Sequence, residues 1–232
     1  MKQITISFCL ILPLLFSGCK KCGEDVNLGD YEVTEQSKTD WFPFISADKL
    51  SFENENGDSI EIKIANRKDE MEYINFRDIC KGTKLNDAAK EFYRSEKLLV
   101  EYSAFYGDNT FFLSAILNVD RIVIQGNTSY FNLFDKIIYR MRIQDYNSAE
   151  NLNISGEVTL VADKRENAIE NEDLWHGDPI KFAEQIILNG KTFQNVWYHE
   201  SDGVPTLYVQ QGKGIIAFRG FNGQVWVLKG NG

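Results

Sequence analysis

Histidine is almost missing from this chain: His176 and His199 are the only two in 232 residues. A metal centre built on imidazoles has little to draw on. Cysteine is also scarce, with four (Cys9, Cys19, Cys22 and Cys80), too few to leave a zinc ribbon once the first two are set aside for the leader. No G-x-S-x-G elbow, Gly-rich phosphate loop or dinucleotide fingerprint is present, and Gly212-Lys213-Gly214 reads as a hairpin turn. No basic run extends beyond Lys20-Lys21, and the formal net charge is −9. An acidic surface argues against nucleic acid and anionic lipid head groups as electrostatic partners. Paired carboxylates are too common in such a chain for any one to mark a glycosidase. No motif implies a cofactor or a metal.

What is present begins with a leader. Lys2 precedes an apolar run, Ile4 to Phe16, shorter than the ~20 residues a membrane-spanning helix needs. That is the plan of a signal peptide. Ser17 and Gly18 then precede Cys19, and the stretch resembles the bacterial lipobox, with Phe16 where leucine is usual. Small side chains let the backbone enter the peptidase extended, and the thiol takes the diacylglycerol. The resemblance implies cleavage before Cys19 and acyl chains, palmitate among them, on the new first residue. Each buried CH₂ contributes about 0.8 kcal/mol, so several chains anchor the protein permanently. An ordinary secretory signal cut near Gly18 is the alternative. Lys20 is not the aspartate that retains some lipoproteins in the inner membrane, so the outer membrane is expected, with the face left open.

Residues 1–18 therefore read as a lipoprotein signal peptide, 19–47 as a lipidated tether and 48–232 as a β-rich domain, with a soft boundary near 147–153. Cys22 and Cys80 remain in an oxidising compartment. Either they form a disulfide stapling tether to domain, or both are free thiols; pairing geometry is not legible in a sequence.

The domain is rich in strand signals. Leu50 and Phe52, then Ile60, Ile62 and Ile64, alternate with polar residues about Asn56-Gly57, the pattern of a hairpin whose tight turn takes two positive-φ residues. "EKLLVEYSAFYG", "NTFFLSAIL", "DRIVIQG", "FDKIIYRMRI" and "NISGEVTLVAD" follow as further strands, with turns expected at 107–109, 118–120 and 126–127. Near the end, Gln185 to Leu188 pairs across Asn189-Gly190 with "KTFQNVWYHE", "TLYVQQ" pairs with "IIAFR", and Asn222-Gly223 leads into "QVWVLK". "IIAF" and "VWVL" are apolar on both faces and so central, which demands a second layer. The fold expected is mostly β: antiparallel meander and hairpin sheets packed as a sandwich or a strongly curved half-barrel. One short helix is expected near 84–95, from Leu85, Ala88, Ala89 and Phe92 at helical spacing behind a Thr83 or Asn86 cap.

The string "VWYHESDGVPTLYVQQGKGIIAFRGFNGQVWVL" is similar to the C-terminal meander of Bacteroidetes-type outer-membrane lipoproteins, and with the lipobox it implies lineage and location. It carries no known activity.

Few residues are candidates for chemistry. Trp175-His176-Gly177-Asp178 offers an aromatic, an imidazole and a carboxylate in a polar stretch, and His199-Glu200-Ser201-Asp202 a second such group. Neither has the context of a nucleophile, so an enzyme is not favoured. Trp175 with His176 and Asp178, and Trp41 in the tether, are the candidate ligand contacts. Three functions follow. The first is a non-enzymatic envelope lipoprotein that binds a glycan or protein partner or serves as a structural module. The second is a carrier holding a lipid or other apolar ligand in a curved sheet. A hydrolase ranks last.

Overall fold

The structure, a computed structural model, describes residues 24–78, 89–122, 132–145, 153–164, 180–202, 204–220 and 223–229. These residues fold into strands β1 (Val26–Tyr31), β2 (Lys49–Glu53), β3 (Ser59–Asp78), β4 (Lys90–Tyr106), β5 (Asn109–Ile122), β6 (Asn132–Asp145) and β7 (Asn153–Lys164). The C-terminal strands are β8 (Ile180–Leu188), β9 (Lys191–Ser201), β10 (Val204–Gln210), β11 (Gly214–Arg219) and β12 (Val225–Leu228). Helix α1 (Glu35–Trp41) and a 3₁₀ turn (Pro43–Ser46) precede β2. The fold is mostly β with one short helix among the described residues, as expected, but the helix is elsewhere.

Two compact units divide the chain: Met1–Gly29 with Tyr73–Arg94, and Asp30–Glu72 with Ser95–Gly232. In the smaller unit β1 pairs with β4, Tyr73 stacks on Phe92 with ring centroids 4.3 Å apart, and the Lys90 amide donates to Asp25 at 2.9 Å.

In the larger unit the strands run in the order β7-β6-β5-β4-β3-β2-β12-β11-β10-β9-β8. Period-two burial builds the inner wall: Leu98, Val100 and Tyr102 on β4, Phe111, Leu113 and Leu117 on β5, and Ile137, Tyr139 and Ile143 on β6 are all buried. The sheet curls nearly closed, so that β7, at one end of the order, meets β9 and β10 near the other. A Cβ on Gly156 would lie 2.8 Å from Thr206 Oγ1 and 3.1 Å from Leu207 Cβ. Aromatic rings join the two walls, with Phe218 edge-on to Phe52 at 4.9 Å and tilted against Phe111 at 5.8 Å.

The interior is filled by the chain's own segment 33–47. Thr34 caps α1, accepting from Ser37 N at 3.2 Å. Its amide and its hydroxyl both reach Asp135 Oδ2 at 2.8 Å, and Asp135 is fully buried on β6. The Val33 amide donates to Glu96 at 2.8 Å, and Lys38 bridges the same carboxylate at 3.0 Å. Burial alone would lower the Lys38 pKa; hydrogen bonds to Glu96 and Glu35 outweigh it and leave the ammonium above its ordinary value. Trp41, Phe42 and Phe44 are buried. The Tyr139 hydroxyl donates to the Trp41 carbonyl, and the Tyr102 hydroxyl meets the carbonyls of Phe44 at 3.0 Å and Ala47 at 2.8 Å. From the opposite wall Gly212 N donates to the Asp40 carbonyl at 2.6 Å, and Gln211 Nε2 to its carboxylate at 2.9 Å.

A second core forms within the C-terminal meander, from Leu188, Phe193, Val196, Tyr208, Ile216, Ala217 and Val227. It closes because Asn189, left-handed at φ 47° beside Gly190 at 73°, reaches from its hairpin tip to the Val225 carbonyl at 2.8 Å.

Several expectations change. Residues 90–95, within the stretch 84–95 read as helix, are strand: β4 is continuous from Lys90, and Tyr93 and Ser95 are buried alternately along it. Ladder pairing outweighs a weak helical preference. The turn expected at 118–120 is absent; β5 runs straight through, Val119 is buried, and Ser95 Oγ bonds both its amide and its carbonyl. Only Gly57 of the Asn56-Gly57 pair has positive φ, because Asn54 closes the loop by accepting from the amides of Asn56 and Asp58. The stretch read as tether carries structure from Val26 onward. Residues 79–88, 123–131 and 146–152, and with them parts of the expected helix, turn and soft boundary, lie outside the described residues.

Candidate functional site

An open cleft of about 550 Å³ lies where β6 and β7 approach β8 and β9, lined by Arg140, Met141, Arg142, Ser155, Gly156, Glu157, Thr159, Ile180 and His199. Its construction follows from strand alternation. Tyr139, Met141 and Ile143 take the buried face of β6, so Arg140 and Arg142 share the exposed one. Register then places Arg140 opposite Glu157, and Arg142 opposite Ser155 on one side and Phe112 on the other.

The polar groups are partly pre-set. Arg140 Nε donates to Glu157 Oε2 at 2.6 Å, and Thr159 Oγ1 donates to Glu157 Oε1 at 3.1 Å. Both oxygens of the Glu157 carboxylate thereby have a partner on the sheet. His199 Nδ1 lies 2.8 Å from Thr206 Oγ1. That hydroxyl also donates to the His199 carbonyl at 3.4 Å, so it fixes the ring from both sides of the residue. Glu200, next along β9, bonds Lys181 at 2.6 Å and holds its ammonium above the ordinary lysine value. The acid beside His199 is therefore committed to a lysine, and a hydroxyl orients the imidazole. Among the described residues no three His, Cys, Asp or Glu side chains converge as a metal would require, and no helix is long and apolar enough to cross a membrane.

Of the residues singled out in the sequence, His199 lines the cleft. Trp41 does not: it is only 6% exposed and packs edge-on to Trp197 at 5.2 Å, so it is a core residue where an exposed aromatic was expected. Trp175, His176 and Asp178 lie outside the described residues, as do Cys19, Cys22 and Cys80. Arg140, Arg142 and Glu157 were missed. Their signal was available as two arginines two apart on the polar face of an alternating strand.

No protein family, curated protein or solved structure matches the chain.

Proposed function

We propose that this is a lipid-anchored lipoprotein of the outer membrane, of Bacteroidetes type, whose larger β unit acts as a non-enzymatic binding module through the cleft between β6–β7 and β8–β9. Cys19 carries the anchor, and the partner is a glycan or an envelope protein. One observation carries the binding reading: the curved sheet is packed with its own Trp41, Phe42 and Phe44, with the Trp41 carbonyl held by Tyr139 and the Phe44 carbonyl by Tyr102. An apolar ligand enclosed by the sheet would have to expel that segment, whereas a ligand in the outer cleft displaces none of the described residues. A volume of about 550 Å³ falls within the ~300–1,000 Å³ usual for small-ligand pockets. Trp175, His176 and Asp178 remain proposed contacts on the sequence reading, Asp178 being two residues before Ile180 of the lining.

Two measurements test this. Full-length protein isolated from its own cells should yield an N-terminal peptide acylated on Cys19, and Cys19→Ser should leave the protein unacylated; an unmodified cysteine removes the anchor from the account. In detergent solution, Ser155→Trp should fill the cleft from an exposed position and weaken ligand binding at least tenfold, with the melting temperature held within about 2 °C. Partner binding indifferent to that blockade sinks the site.

A further inference from the structure

We infer that the smaller unit docks on the phospholipid surface in which the anchor sits, with the Tyr73 and Phe92 rings and Val26 at the level of the head groups. This rests on acylation of Cys19, proposed above, and adds to it a protein surface that touches the bilayer.

Reach is the first ground. An acylated Cys19 lies at the head-group boundary, and Val26, the first residue of β1, is the seventh residue after it. Seven residues span at most about 25 Å when fully extended, so the start of β1 stays close to the bilayer. It is tied in turn to β4 and β3. The Lys90 amide donates to Asp25 at 2.9 Å, Phe92 lies two residues further along β4, and Tyr73 of β3 stacks on Phe92 with ring centroids 4.3 Å apart. Desolvation first, and the Asp25 carboxylate second, raise the Tyr73 pKa, so that ring also stands near the start of β1.

The second ground is what the unit exposes. Alternation puts Phe92 on the face of β4 opposite to Tyr93, which is fully buried. On that open face Tyr73 stacks on Phe92 yet remains 47% exposed, and Val26 is 44% exposed. A tyrosine, apolar along its ring and wet at its hydroxyl, suits the boundary between head groups and acyl chains.

Charge is the third ground, because the two units differ in sign. Beyond the leader, residues 19–29 and 73–94 hold seven Lys and Arg against five Asp and Glu, a net of +2. The rest of the mature chain holds 17 against 29, a net of −12. The whole-chain value of −9 hides this asymmetry. Anionic head groups repel the acidic unit and attract the one that carries the anchor, so charge and apolar surface select the same unit for the bilayer.

The test places the full lipidated chain in phosphatidylcholine vesicles whose acyl chains carry bromine, a short-range quencher of tryptophan. Tyr73→Trp adds one indole to the surface. Its emission, after subtraction of the parent protein's, should fall at least about twofold relative to unbrominated vesicles, and Val26→Trp should behave alike. Phe105→Trp, at an apolar position 82% exposed in the larger unit, should keep its emission. Replacing about a third of the lipid with phosphatidylglycerol should deepen the quenching of Tyr73→Trp, and about 0.5 M salt should remove that increment alone. Mass spectrometry of the Cys19 peptide from the same vesicles decides the anchor by itself. Acylated Cys19 with neither Tyr73→Trp nor Val26→Trp quenched overturns the inference and keeps the anchor. Equal quenching of Tyr73→Trp and Phe105→Trp overturns it too, because the contact would then belong to no particular unit. Cys19 without acyl chains removes the anchor, and the inference with it.

Discussion

The ring of Phe44 lies against the α-carbon of Gly214, occupying the space a side chain there would need. Gly214 is also left-handed, at φ 68°, as the first residue of β11 after the turn from β10. Sequence thus meets packing at a single atom: the plug can seat only because the turn has no Cβ. Phe44 is 3% exposed and cannot swing away. Gly214→Ala combines backbone strain with overpacking and should cost about 2–4 kcal/mol. Urea denaturation would show it as a lower midpoint. A wild-type midpoint would mean that segment 33–47 is not seated as described. Gly212→Ala, in the same turn with open space around it, gives the strain alone and should cost less.

Thr34 holds the other end of that segment. Its side chain caps α1 while its amide and hydroxyl meet a fully buried carboxylate, Asp135. Removing the hydroxyl takes away the cap and one of the bonds that compensate the buried charge. Thr34→Ala should destabilise by about 1–2 kcal/mol, while Thr34→Ser, which keeps the oxygen, should stay within about 0.5 kcal/mol. Equal losses in both variants would assign the effect to the methyl group.

The hairpins were legible because their signals are local. Asn189-Gly190 sets two left-handed residues in succession, and the Leu50/Ile62 and Phe52/Ile60 pairs follow from alternation once the loop is located. Residues 89–95 were not legible for the opposite reason. Ala89 and Phe92 fit a helical stripe, and only the partners of β4, distant in sequence, turn Tyr93 and Ser95 into alternating inward positions. The plug was hidden by composition: polar residues from 20 to 40 suggested a tether, although Trp41, Phe42 and Phe44 are an aromatic density that a solvated linker has no use for. Of the nine residues lining the cleft only His199 was singled out in the sequence. The rest depends on register, which sets Arg140 opposite Glu157, and a sequence read strand by strand does not contain it.

Tyr102 makes stability fall at high pH. Burial raises its pKa from 10.0 to about 12, while its hydroxyl stays bonded to the carbonyls of Phe44 and Ala47. The folded value lies above the unfolded one, so the contribution is complete below about pH 10. It declines as the unfolded chain ionises first, and is gone once pH passes about 12. The loss attributable to this group is up to about 2–3 kcal/mol. Tyr139, raised further by burial, acts in the same direction. Urea midpoints between pH 9 and pH 12 should drop steadily. Tyr102→Phe should start lower, two carbonyls having lost a donor, and then decline less steeply. Parallel slopes for the two proteins would show that Tyr102 ionises alike in both states.

Gly156 links stability to the cleft. Its backbone is unstrained, yet an added Cβ would come within 2.8 Å of Thr206 Oγ1, 3.1 Å of Leu207 Cβ and 3.5 Å of His199 Nδ1. Thr206 and Leu207 are both buried, so the contact is relieved only by moving β7 away from β9 and β10. Gly156→Ala should therefore destabilise by about 1–3 kcal/mol. It should also shift the Thr206–His199 pair, and with it one wall of the cleft. Ligand affinity should drop more in Gly156→Ala than in a variant of matched stability, such as Thr34→Ala, whose partners Asp135 and Asp163 lie farther along β6 and β7. Comparing the two variants at equal folded fraction separates the effects: identical affinities would show that the approach of β7 to β9 serves the fold and not the site.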